Sequence, residues 1–323
     1  MKSLQAMETP AVTMTRAIGL DSNVWRALVD SRRVDDLHKS AKRSHVEVVA
    51  IPAVLYEAVR MQPSSKRDRI VRAICRQAWR RSMPEAFLEA EDVRAAIEQH
   101  HPDWLDPAPN LRLWYLLRSD WEHGTWHRAR ADPTAFATTL GPEDRTRLEV
   151  ARAEARRVAN HVRESKLTLE RFEPEVFSAF VSDASGQFEA WRASAMNYWS
   201  DVLTGSTAHP SSQWLLPWLK TGIDWRAWEA FWLHEVRPSE VPREWMRTNI
   251  YLAAATRRQS RGSPADWQIA TYLFDFGEFV TADKTFVAVL QTLEPYAPKP
   301  FATPILLEGG ADAAEQLLAL LQR

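Results

Sequence analysis

Four acidic stretches lie at the two ends of the chain, two toward each end. They read Ile18-Gly19-Leu20-Asp21-Ser22-Asn23, Ile51-Pro52-Ala53-Val54-Leu55-Tyr56-Glu57, Ser263-Pro264-Ala265-Asp266-Trp267 and Val280-Thr281-Ala282-Asp283-Lys284-Thr285-Phe286. Each sets one carboxylate just after an apolar run or in the first turns of a predicted helix. Side chains in that position project at the carboxyl edge of a parallel sheet, the usual ligand side of an open α/β fold. Four carboxylates meeting there would repel one another unless cations neutralised them. Hard oxygen ligands of this kind suit Mg²⁺ or Mn²⁺. The chemistry that follows is phosphodiester hydrolysis, in which an activated water attacks phosphorus in line. A second ion about 3.5–4 Å from the first would stabilise the leaving oxygen. Asp21 and Asp283 are the candidate direct ligands, and Glu57 and Asp266 complete the set directly or through water. Ser22, Asn23 and Thr281 are candidates to orient the carboxylates or a phosphate.

The elements that must position these groups fall into two blocks. Residues 1–16 read as a loose leader. Ala17 to Leu20 is a short apolar run that fits a buried strand. Asp21-Ser22-Asn23 then offers capping residues to a helix in which Val24, Trp25, Leu28 and Val29 recur at helical spacing. Val46 to Ile51 is β-branched and predicts a second strand, ended by Pro52 at the first turn of a helix bearing Glu57. This β-α-β-α order implies parallel pairing and right-handed crossovers. The pattern returns late in the chain. The expected elements there are a helix over 245–256, a helix from Ser263 through Phe274, a strand over 278–282 and a helix over 284–293. A short strand over 304–307 and a closing helix over 311–322 follow. Between the blocks, apolar positions recur at helical periods and strand-like runs are scarce. The expected organisation is an α/β fold: a small parallel sheet of about 4–5 strands, built from residues 17–62 and 245–323. A mainly helical insertion occupies 63–244.

Taken singly, each acid also suits a structural role. Asp21 and Asp283 can cap helices. Glu57 suits the first turns of a helix. Ser263, Pro264 and Asp266 make nearly a capping box. The shared order and edge favour the site. On these residues the sequence resembles the PIN-domain family of nucleases. That family opens with an Asp-Thr/Ser-Asn triplet after its first strand, matched by Asp21-Ser22-Asn23. Glu57 matches its Glu in the helix after the second strand. Asp266-Trp267-Gln268-Ile269-Ala270 matches a later Asp followed by an apolar run. Thr281-Ala282-Asp283-Lys284-Thr285-Phe286 matches Thr-x-Asp-x-x-Phe, the most specific of the four. The resemblance covers roughly residues 17–62 and 245–310 and leaves the middle uncovered. It implies a Mg- or Mn-dependent endoribonuclease, of a kind found in toxin and RNA-processing settings, and leaves an inhibitory, antitoxin-like protein open as a partner; the large insertion suggests a recognition or regulatory module rather than a minimal toxin. A non-catalytic PIN-like scaffold that binds RNA or protein is the alternative class, and a DNA-directed nuclease shares the same metal chemistry. Oligomeric state stays open, a homodimer included.

Other features bound the partners. The formal net charge is −1, so any polyanion must be held by a local basic patch. Arg69, Arg72, Arg76 and Arg80 are spaced to share one helical face, opposite Ile70, Val71, Ile74 and Trp79. That face is expected to track phosphates beside the acids. The apolar runs are too short to cross a bilayer. Met1 to Thr15 lacks a secretory pattern and there is one cysteine, Cys75, so no membrane association and a cytoplasmic setting are expected. Arg156 to His161 matches Arg-x4-His, but an ordinary charged helix face explains it better. The group Trp214, Trp218, Trp225, Trp228 and Trp232 reads as core. His100-His101-Pro102-Asp103 reads as a surface loop.

Overall fold

The computed structural model describes residues 16–139, 190–204, 210–255, 263–310 and 312–322. Of the helix Ser263–Thr271, only the backbone is described as far as residue 266. Arg156–His161 lies outside the described residues. Among the described residues no helix is long and apolar enough to cross a membrane.

Five strands form one all-parallel sheet in the order β3-β2-β1-β4-β5. They are β1 (Arg16–Leu20), β2 (Val46–Ala50), β3 (Arg80–Arg81), β4 (Glu278–Thr281) and β5 (Thr303–Leu306). The two ends of the chain meet at the centre, where β1 pairs with β2 on one side and β4 on the other. Ile18 and Leu20 are fully buried, as are Val49 and Ala50, which is what a sheet covered on both faces demands. Arg16 belongs to β1 rather than to a leader, and its guanidinium grips Glu278 of β4 at 2.6 and 2.7 Å. Gly19 admits the Phe276 ring against the sheet; a Cβ there would overlap that ring.

The crossovers follow from the turn chemistry. Helix α1 (Ser22–Asp30) starts at its cap Asp21, and α2 (Val34–Arg43) leads into β2. Pro52 opens α3 (Pro52–Val59), and α4 (Ser64–Ile74) follows. The helix Lys284–Leu293 has the predicted bounds and is capped by Asp283. The expected boundary near residue 63 is moved by β3, an edge strand of two residues that takes the sheet beyond it. Two residues give no periodicity to detect, so the sequence shows nothing there.

The middle of the chain is helical where described, and its tryptophans fill a core. Trp126, Trp191, Trp199, Trp228 and Trp232 are fully buried. Of the predicted group, Trp214 is buried too, Trp218 is half-buried, and Trp225 is 50% exposed, so it does not belong to the core. Helix α5 (Glu85–His100) and the helix Pro242–Ala255 enclose Arg247 among Glu85, Glu89 and Glu244. Burial pushes all three carboxyls upward while Arg247 pulls them down. The histidines at 100 and 101 are not a free loop. His100 meets Glu240 at 2.9 Å, and His101 meets Glu235 at 2.6 Å while stacking on Trp104.

Candidate metal centre at the carboxyl edge of the sheet

Asp21 is fixed by both its backbone and its side chain. Its N–H donates to the Val280 carbonyl of β4 at 3.0 Å, which pins the end of β1 to the neighbouring strand. Its Oδ1 accepts from the Ser22 N–H at 2.6 Å, the helix-capping bond. Its Oδ2 accepts from the Thr281 hydroxyl and from Asn23 Nδ2, both at 2.6 Å. Thr281, at the end of β4, also accepts from the Asp283 N–H at 3.0 Å. Asn23 Oδ1 accepts from the Ala282 N–H at 3.0 Å. The Asp21-Ser22-Asn23 and Thr281-Ala282-Asp283 segments are thereby stitched together across the β1–β4 junction.

Asp283 spends one oxygen on its helix, with Oδ1 accepting from the Thr285 and Phe286 N–H groups at 2.8 and 2.9 Å. Glu57 comes from α3, beyond the end of β2, and is half-buried. The Ser22 hydroxyl hydrogen-bonds to it. The carboxyls feel each other. Burial, above all, raises the Asp21 pKa, and the charge of Asp283 adds to that, against the hydrogen bonds from Thr281, Ser22 and Asn23. Burial likewise pushes Glu57 up to about 7, with the Asp21 charge adding to it. The Ser22 hydroxyl, Arg26 and Arg60 pull it back.

The structure thus brings Asp21, Glu57 and Asp283 to one edge, with Ser22, Asn23 and Thr281 around them. Asp266 lies on the helix Ser263–Thr271, which packs against α3, but its side chain is outside the described residues. The donor set suits a hard cation. It is all oxygen, and it keeps lone pairs free on Asp283 Oδ2, on Asp21 Oδ1 beside the Ser22 bond, and on Glu57. No group of three carboxylate or imidazole side chains among the described residues is already gathered tightly enough to hold an ion. Sequence reasoning missed Arg26 and Arg60, the cations that act on Glu57; Arg60 caps α3 three residues after Glu57, a spacing the sequence offered, whereas only the packing of α1 on α3 shows Arg26.

The arginines divide. Helix α4 ends at Ile74, so the predicted common face is broken. Arg76 pairs with Asp35 at 2.6 Å, and Arg80, in β3, pairs with Glu47 at 3.1 Å and donates to the Asp275 carbonyl. Arg69 and Arg72 are exposed. They line a groove with Val29, Arg32 and Asp35, at the end of α1 remote from Asp21. The arginines therefore do not border the acids as expected. No protein-family model, curated protein or solved structure matches this chain.

Proposed function

We propose that this protein is a metal-dependent nuclease, an endoribonuclease that hydrolyses RNA phosphodiester bonds with Mg²⁺ or Mn²⁺, restrained in the cell by an inhibitory protein partner. The observation that supports this reading most is the meeting of Asp21, Glu57 and Asp283 from three separate strand ends, each coupled to the next by charge or through Ser22 and Thr281. A bound ion supplies charge stabilisation at the phosphoryl oxygens and lowers the pKa of the attacking water. Asp21 and Asp283 would hold it, with Asp266 as a further ligand. Thr281 and Asn23 keep Asp21 in one rotamer and hold its second oxygen away from competing contacts. Glu57, with its carboxyl near neutrality, is matched to taking a proton from water at physiological pH.

The test is a panel of labelled RNA and DNA of one sequence, incubated with the parent and with Asp283→Asn, with and without Mn²⁺. The expected result is metal-dependent cleavage of RNA that falls at least about 100-fold in the variant, or about 2.7 kcal/mol in barrier. Absence of cleavage with every metal, or equal rates for the two proteins, refutes the reading and leaves the non-catalytic scaffold.

A further inference from the structure

A second chemical surface lies at the far end of α1. The groove containing Arg69 and Arg72 has a volume of about 380 Å³ and is also lined by Arg32, Arg76 and Arg130. Arg130 is shared with a second groove of about 800 Å³, walled by Trp79, Arg81, His123, His127 and Arg128. Together the two grooves carry seven arginines against two carboxylates, Asp35 and Glu122, in a chain whose net charge is −1. Some of these cations are used internally: Arg76 by Asp35, Arg128 by Asp120, and Arg81 by the Glu122 carbonyl. Arg32, Arg69, Arg72 and Arg130 are exposed and make no ion pair among the described residues. Arg32 also sits in a left-handed backbone conformation (φ 58), one that glycine adopts without steric cost.

We propose that the two grooves form a binding track for a nucleic-acid backbone, separate from the acid cleft. Three features favour this occupant over a single phosphate, an acidic protein or a membrane. The free cations are spread over separate elements, the turn after α1, α4 and the helix Trp126–Ala131, instead of converging on one point. That distribution suits a long polyanion with evenly spaced charge. None of the large exposed apolar side chains, at Leu113, Tyr115, Leu116, Trp225 and Leu306, lines either groove, so nothing there would enter a bilayer. Finally, α1 connects the track to the acids. Arg26 is exposed midway along it and acts on Glu57 at one end, while Lys66 neutralises Asp30 at the other. Over its nine residues α1 rises about 14 Å. At about 3.4 Å per nucleotide, a strand must run about 4 nucleotides to cover the length of α1 between the track and the cleft.

The binding stands apart from catalysis, so the two can fail separately. Affinity for a 5′-labelled 20-nucleotide RNA, its DNA counterpart and a 4-nucleotide RNA is measured between 50 and 200 mM salt. The proteins are the parent, Arg69→Ala/Arg72→Ala/Arg130→Ala, the same three positions changed to Lys, and Asp283→Asn. The alanine triple variant should lose about 2–2.7 from the slope of log K against log salt. The lysine variant, which keeps the charges, should retain the slope, and Asp283→Asn should bind like the parent whether or not the parent cuts. RNA and DNA should respond alike, since the track touches the phosphates, and the 4-mer should show little difference among the proteins. An unchanged slope in the alanine variant overturns the proposal. So does equal displacement by polyglutamate at matched charge, which would assign the surface to an acidic protein. Binding to anionic vesicles that matches binding to RNA would likewise overturn it.

Discussion

The Thr281 hydroxyl donates to Asp21 Oδ2 at 2.6 Å, joining residues 260 positions apart. Both groups are buried, so neither can turn to water for a substitute. Thr281→Val keeps the shape and removes the donor. The expected loss is about 1–2 kcal/mol of stability, because Asp21 Oδ2 keeps only the Asn23 donor and the Asp283 N–H loses its acceptor. With one fewer hydrogen bond to its ionised form, Asp21 should titrate still higher and bind Mn²⁺ more weakly. Chemical denaturation and Mn²⁺ titration followed by paramagnetic broadening check both. A variant as stable as the parent, with unaltered Mn²⁺ affinity, would show the bond to be idle.

Glu57 gives the pH dependence. Its carboxyl titrates near 7 in the fold, against about 4.3 in an unfolded chain. Between those values the folded state binds more protons than the unfolded one, so stability should fall as pH rises from about 4 to 7. Glu57→Gln removes that penalty. It should be more stable than the parent at pH 8 by about 2 kcal/mol, discounting for partial exposure, and no more stable at pH 4. Thermal melts at the two pH values decide it; a gain of equal size at both would point to packing. Metal-dependent cleavage by the parent should rise through pH 7 as Glu57 ionises, and the variant should lack that limb.

Arg247 pairs with all three carboxylates, Glu85, Glu89 and Glu244. Arg247→Met should cost about 3–5 kcal/mol, because charges would be left buried and uncompensated. Adding Glu89→Gln to it should recover part of the loss, and a double-mutant cycle in urea measures how much. Strictly additive effects would mean that Arg247 stabilises the fold through its contact with Tyr198 instead.

Gly19→Ala should cost about 1–3 kcal/mol, because the new Cβ meets the Phe276 ring beneath the sheet. Phe276→Leu should relieve it. If the alanine variant melts with the parent, the ring swings aside freely and the close approach is unimportant to the placement of β1.

Much of the α/β frame was legible because its signals are local. A run of β-branched residues marks β2, and the cap at Asp283 with the apolar spacing after it fixes the helix Lys284–Leu293 to the residue. The acids were legible as a set because each sits beside such a signal at the end of a strand or the start of a helix. Other features depend on contacts that no local pattern encodes. The pairing of β1 with both β2 and β4, the strand Arg80–Arg81, and the bond from Thr281 to Asp21 each join residues far apart in the chain. The arginines show the limit most plainly. Their spacing promised one helical face, yet α4 ends at Ile74, and Arg76 and Arg80 turn to Asp35 and Glu47. By itself the sequence determined which residue types could bind cations and phosphates. Tertiary structure decided which carboxylates share an edge and which arginines stay free, because charge pairs form between surfaces whose meeting is set by the packing of the whole core.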